Sequence, residues 1–286
     1  LLFETARAIS LNESIQTAPR VKRNDIGEVF VNWKDLRNDP IDGDQYFQKI
    51  DINGDSQWGE GVRIDFSDQP DFSARFAADN IGGLNVVWER GSFPEIDIMY
   101  QNITSDGTTI HTAPITINDE VGYQYSPAIS GDNSTGLFII YGDQGKGSID
   151  LKVQKINSNY QPDWQDNGLD VMKGLDGDIN YTKTFKDADN DIYLIWEDNR
   201  ASKKIYSTRL LNSEISQRNG KQLTFGDNSS SETDFSTPYY IKSNNNIFTA
   251  TFDGSSSPKF LKINKIDENL NNLWDSSGVS LPAVFD

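Results

Sequence analysis

Cysteine is absent from the 286 residues, and histidine occurs once, at His111. Without thiols the chain has no disulfides, no thiol nucleophile and no cysteine-type zinc site. A Ser-His-Asp triad or a histidine-rich metal centre would have to be built on His111 alone. No apolar run approaches the roughly 20 residues that span a bilayer. The opening LLFETARAIS lacks the basic region and apolar stretch of a secretory signal, so the segment reads as a mature or trimmed domain. Basic charge is also short: 26 Lys and Arg stand against 43 Asp and Glu, a net charge of −17. A surface of that sign repels phosphate backbones and anionic lipid, so neither nucleic acid nor membrane insertion is expected. No segment sustains 3.6-residue apolar spacing, which predicts almost no helix.

What is present repeats. Trp33-Lys-Asp35-Leu-Arg37 returns as Trp88-Glu-Arg90, Tyr141-Gly-Asp143, Trp196-Glu-Asp198-Asn-Arg200 and Phe252-Asp253, at aromatic spacings of 55, 53, 55 and 56 residues by subtraction. A second marker follows each: QYFQKI (45–50), IMYQNI (98–103), LKVQKI (151–156), YSTRLL (206–211) and LKINKI (261–266). A third is a tryptophan before a glycine turn, at Trp58, Trp164 and Trp274, replaced by Ile110 and Arg218 in the second and fourth copies. A fourth lies upstream, at Pro19, Pro70, Pro127 and Pro238, with Thr182 in the remaining copy. Each copy reads as four short strands rich in β-branched and aromatic residues, such as VFVNW, NVVW and YLIW, separated by Asn-Gly and Asp-Gly turns.

Four antiparallel strands in a repeat of this length make a β-propeller blade. The expectation is an all-β fold, a five-bladed β-propeller of single-domain extent over 1–286. Its blades fall near 17–66, 67–118, 119–173, 174–227 and 228–286. Residues 1–16 resemble a fourth strand and would help to close the ring, although GVSLPAVFD (278–286) claims the same edge. A catalytic cluster is needed once, whereas a packing device is needed in every blade. Trp33, Asp35, Arg37, Trp88, Asp143, Trp196, Asp198 and Arg200 therefore read as structural repeat residues, the aromatics filling the space between blades.

The order W-x-D-x-R, then D-I-Y-x-Q-x-I, then G-x-x-x-W-x-x-x-G-V resembles a repeat of exported bacterial β-propeller proteins of the Bacteroidetes type. Residues 33–62 carry it almost throughout and 149–169 and 196–200 in part. The resemblance implies an extracellular or bacterial cell-surface location and no single function. The last copy, FDGSSSPKFLKINKI, has lost the Trp, Arg and Gln.

Candidate chemistry is sparse. Asp187, Asp189 and Asp191 alternate in DADND and offer oxygen ligands for calcium, though no glycine follows; Asp51, Asn53 and Asp55 make a second fragment of that kind. Glycoside hydrolysis needs two carboxyl groups across one cavity. The positions after the upstream marker are Arg20, Asp71, Ala128, Lys183 and Tyr239, and one acid cannot supply a pair, although Glu89, Glu95 or Asp97 could come from loops. Phe93, Tyr123, Tyr125, Tyr239 and Tyr240 are aromatics outside the repeat markers that could stack on sugars or anchor a protein. His111 reads as a turn residue. These features favour a non-catalytic binding or display module for a protein or glycan at a bacterial surface and lean away from an enzyme. The alternatives are a carbohydrate-active hydrolase on the same propeller and a structural subunit of an envelope assembly.

Overall fold

A computed structural model describes residues 7–24, 27–79, 81–132, 136–145, 147–164, 166–175, 177–186, 191–199, 204–211, 214–223, 239–243, 246–253, 260–274 and 279–282. Among these there is no helix, and the strands fall into five antiparallel sheets. The first holds β1 (Gln16–Arg23), β2 (Val29–Asp35), β3 (Asp44–Ile50) and β4 (Val62–Arg63), in that order. The second holds β5 (Asp71–Ala78), β6 (Leu84–Ser92), β7 (Glu95–Ile103) and β8 (Ile115–Asn118), and the third β9 (Gln124–Asp132), β10 (Gly136–Asp143), β11 (Ile149–Ile156) and β12 (Leu169–Leu175). The fourth comprises β13 (Ile179–Lys186), β14 (Ile192–Asp198), β15 (Lys204–Leu211) and two short pieces, β16 (Glu214–Ile215) and β17 (Lys221–Gln222), both paired with β15. The fifth is β18 (Tyr239–Ser243), β19 (Asn246–Asp253), β20 (Phe260–Ile266) and β21 (Val279–Pro282). The chain divides into two compact units, one of residues 1–141 and 154–169, the other of 142–153 and 170–286.

In the first unit apolar side chains of successive sheets face each other. Phe30, Phe47 and Trp58 of the first copy pack on Phe76, Leu84, Val86 and Trp88 of the second. The other face of the second sheet, with Val87, Ile98 and Tyr100, packs on Ile129, Leu137, Ile139 and Tyr141. Side chains alternate across a strand, so β6 serves both clusters at once, Val86 and Trp88 on one face and Val87 on the other. In the second unit Tyr193, Ile195 and Ile205 meet Ile266 and Leu270 in the same manner.

The repeat markers act on local geometry. Trp33 is buried and donates its indole N–H to Asp35 at 2.9 Å; Asp35 also accepts from the Arg37 guanidinium at 2.6 Å and from the Ser14 hydroxyl at 2.6 Å. Trp196 donates to Asp198 at 2.9 Å, while Arg200 lies outside the described residues. In the second copy the place of that acid is taken by Arg90, and Asp71, directly opposite Arg90 in the register, accepts from Trp88 at 2.7 Å. In the third copy Tyr141 donates its hydroxyl to the Asn167 carbonyl at 2.8 Å, and Asp143 accepts the Gly145 N–H and pairs with Lys152.

The glutamine of the second marker joins its strand to the hairpin ten residues on. Gln48 accepts from Trp58 N–H at 2.7 Å, Gln101 from His111 N–H at 3.2 Å and Gln154 from Trp164 N–H at 3.2 Å. This corrects one sequence equivalence: His111, not Ile110, stands where Trp58 and Trp164 stand.

The leading segment also departs from expectation. Residues 7–15 form no strand. Leu11 N–H donates to Glu60, Leu36 N–H donates to the Ile15 carbonyl, and Ile9 packs on the Val31, Trp33 and Tyr46 cluster, so the segment lies over the first sheet. The edge of the fifth sheet is taken by β21, which pairs with β20.

Candidate functional site

The first strand of a copy carries a bulge. Pairing shifts register between Thr17 and Arg20, between Phe72 and Arg75, and between Asn180 and Lys183. Ala18 and Ser73 sit there with φ of 51° each, and Ser126 in β9 has a φ of 53°, a left-handed backbone that non-glycine residues adopt at a cost of about 1 kcal/mol. Bulges re-aim side chains and gather next to functional sites. They also reset the sequence register: Pro19 corresponds to Ala74, Pro127 and Thr182. The positions that follow it are then Arg20, Arg75, Ala128 and Lys183, and the acid expected at Asp71 is the indole acceptor described above.

Glu89, within β6 and directly after Trp88, is 6% exposed. Its carboxylate accepts the backbone N–H of Ser126 at 2.7 Å and a bond from the Ser73 side chain. Burial raises its pKa above the usual carboxylate range, while the Ser126 N–H, Ser73 and the nearby Arg75 charge pull the other way. Arg75 has its own pKa lowered by burial and by Arg20. Lys22, two residues along β1 from Arg20, has a pKa lowered to about 8 by desolvation first, then by Arg75 and Arg20. All eight residues of β1 are exposed, so Arg20 and Lys22 are open to water, while Arg75 on β5 is half-buried.

Beside Glu89 stands a row of three aromatic rings. Phe93, in the turn between β6 and β7, is 78% exposed and meets Tyr123 edge-on at 6.0 Å. Tyr123 is stacked on the buried Tyr125 at 4.8 Å with 14° between planes. Burial and Glu89 both raise the Tyr123 pKa. Glu95 accepts the N–H of Gly122 at 2.9 Å. Two carboxylates thus grip one short segment at Gly122 and Ser126, four residues that span at most about 13 Å when extended. The row runs from solvent to core and flanks a carboxyl whose neutral form burial favours, an arrangement that can hold a flat apolar face and exchange a proton beside it.

Of the five aromatics singled out in the sequence, the structure brings Phe93, Tyr123 and Tyr125 together. Tyr239 and Tyr240 begin β18, paired with Ala250 and Thr249 in the other unit. Asp187 and Asp189 lie outside the described residues; Asp191 forms an ion pair with Arg209. Among the described residues no group of three or more histidine or acidic residues could hold a metal ion. Asp51 accepts the N–H groups of Asn53 and Asp55 at 2.9 and 2.8 Å, and Asp267 does the same for Asn269 and Asn271, so this fragment is a turn device. His111 lies against the Tyr160 carbonyl, 3.1 Å from Nε2. Sequence reasoning reached Glu89 and Glu95 as loop acids and passed over Lys22 and Arg75. Alignment on the aromatic marker instead of on proline places Arg20 and Arg75 at one position, 55 residues apart by subtraction.

No protein-family model matches the sequence, and no curated protein is similar to it. Solved structures share the fold. A polysaccharide lyase, an ulvan lyase bound to a glucuronic acid–rhamnose 3-sulfate saccharide, aligns with TM-score 0.58 at 12% identity over 92% of this chain and 70% of its own. An α-L-arabinanase from Penicillium chrysogenum with arabinobiose aligns with TM-score 0.53 at 13% identity over 95% and 83%. An α-L-arabinofuranosidase from Fusarium graminearum with an iminosugar inhibitor gives TM-score 0.53 at 13% identity over 93% and 82%. The chain therefore has the β-propeller fold that these proteins share. The expectation of a non-catalytic binding or display module is corrected accordingly, and the alternative of a carbohydrate-active hydrolase accords better with these structures. No helix among the described residues is long and apolar enough to cross a membrane.

Proposed function

We propose that the protein is a carbohydrate-active enzyme that cleaves glycosidic bonds, built as a five-bladed β-propeller and working outside the cell or at a bacterial cell surface. The observation that carries the reading is the contiguity of the Phe93–Tyr123–Tyr125 row with the Glu89 carboxyl. Sugar rings stack on aromatic faces through their axial C–H groups, and the exposed Phe93 ring, backed by Tyr123 and the buried Tyr125, offers a saccharide such a face. A carboxyl whose pKa is raised by burial holds its proton more firmly than an exposed one and can give it to a departing glycosidic oxygen. Arg75 and the Ser126 N–H then stabilise the carboxylate left behind, so the proton is held without being trapped. Glu95, on the same hairpin and held to the same segment, is the candidate second carboxylate for activating water. The lyase, arabinanase and arabinofuranosidase of like fold support glycan cleavage as the reaction class. The repeat resemblance supports the exported location, and five sheets of one strand order support five blades.

The test is a screen of the purified chain against neutral and acidic polysaccharides, scored by new reducing ends, which report hydrolysis and elimination alike. Cleavage of at least one glycan is expected; a chain that binds glycans and cleaves none returns it to the binding proteins.

A further inference from the structure

We infer that the glycan taken at this site is acidic, bearing carboxylate or sulfate groups that Arg20, Lys22 and Arg75 receive; the inference rests on the glycan-cleaving reading above. The chain carries a net charge of −17, so a cation on its surface is surrounded by candidate acidic partners. Several cations use them: Arg37, Arg63, Arg90 and Lys49 pair with Asp35, Asp44, Asp65 and Glu28. Arg20 and Lys22 on β1 and Arg75 on β5 do not. Arg20 donates to the Ala74 carbonyl at 2.7 Å, Lys22 to the Phe76 carbonyl at 2.5 Å, and Arg75 to the Ser73 and Ala74 carbonyls at 3.2 and 3.1 Å. These partners are neutral, and among the described residues none of the three cations joins an ion pair.

Three like charges are thus gathered on neighbouring first strands: Arg20 disfavours the charged forms of Lys22 and Arg75, and Arg75 that of Lys22. The one carboxyl that acts on the group is Glu89, through Arg75, and burial holds Glu89 toward its neutral form. Acids farther off than about 10 Å are screened at ordinary ionic strength. The result is a local positive field inside an acidic shell. A guanidinium has five N–H donors and an ammonium three, so after these carbonyl bonds each cation keeps donors for a ligand. Planar guanidinium forks match carboxylate and sulfate oxygens in pairs. An anion seated here would relieve the mutual repulsion, whereas a neutral sugar would leave it in place. The aromatic row beside Glu89 supplies the apolar part of the same ligand site.

The test measures binding and cleavage together, with the whole chain, on polygalacturonate, a sulfated polysaccharide and neutral arabinan. The wild-type protein is expected to bind an acidic glycan at least about tenfold more tightly than arabinan, and to lose that preference as salt is raised. Arg20→Gln and Lys22→Gln lie on an exposed strand and test the same point one charge at a time. Each is expected to weaken acidic-glycan binding about tenfold with the melting temperature and arabinan binding unchanged. Cleavage of arabinan alone, or acidic-glycan binding indifferent to salt and to both variants, overturns the substrate class and leaves the enzyme reading standing. Salt-sensitive binding of an acidic glycan without cleavage of any polysaccharide does the reverse.

Discussion

The Glu89 carboxylate accepts the backbone N–H of Ser126 at 2.7 Å, a bond from the second sheet to the first strand of the third. Ser126 holds a left-handed φ of 53°, and Ser73, at the bulge of β5, bonds the same carboxyl. A feature that recurs in the scaffold thus becomes specific where an acid reaches into it. Trp196-Glu197 repeats the sequence pair in the other unit, whereas Trp33-Lys34 and Tyr141-Gly142 do not.

Replacing Phe93 by Ala removes the outermost ring of the row. Phe93 is mostly solvent-exposed, so the melting temperature is expected to stay within about 2 °C. Glycan binding is expected to weaken about five- to tenfold, the worth of one stacked ring at roughly 1 kcal/mol. Calorimetry on an oligosaccharide with and without the substitution measures both. Unchanged affinity removes the row from the ligand site.

Gly61 lies beneath the Trp33 ring, where an added Cβ would stand 2.6 Å from Cη2, at a φ of +96°. Gly61→Ala is expected to cost about 3 kcal/mol through ring displacement and backbone strain. Gly59→Ala, with nothing within 4 Å, meets only the strain of its φ of +56° and is expected to cost about 1 kcal/mol. Urea unfolding of the two variants separates packing from conformation.

Asp71 gives a pH signature. Its pKa is raised to about 7, by burial first and by Asp65 next, against the pull of the Trp88 N–H and Arg90. The folded protein keeps a proton that the unfolded chain releases near pH 4, so the stability this group contributes at acid pH is lost as pH climbs from about 4 to about 7. Asp71→Asn retains an acceptor for Trp88 and cannot ionise. The melting temperature of the wild type relative to Asp71→Asn is expected to fall by roughly 5 °C across that window; a constant difference shows that Asp71 is ionised throughout.

These substitutions also mark what could be read from the sequence. Trp33, Trp88 and Trp196 were legible as scaffold because a side chain that fills one gap between sheets is needed again at every gap, at the spacing of the repeat. Gln48, Gln101 and Gln154 were legible for the same reason. The left-handed residues were not: Ala18, Ser73 and Ser126 hold a glycine-like φ without being glycine, so no turn chemistry announces them. Proline misled, since Pro70 stands before the bulge while Pro19 stands within it. Asp71 looked like a cavity acid because the register that sets it opposite Arg90 exists only once the sheet has formed. The candidate site draws on three first strands, with Arg20 bonded 54 residues away and Glu89 bonded 37 residues away. Periodicity within one copy cannot show such a meeting.

The most direct test of the central claim is the rate at which Glu89→Gln and wild-type protein release reducing ends from whichever polysaccharide the wild type cleaves best. Gln keeps an oxygen for the Ser126 N–H and loses the proton, so the fold and the glycan affinity are expected to hold while kcat falls by about 10²–10⁴. Equal rates for the two proteins, at equal melting temperature, contradict the assignment of proton transfer to Glu89 and with it the account of this site.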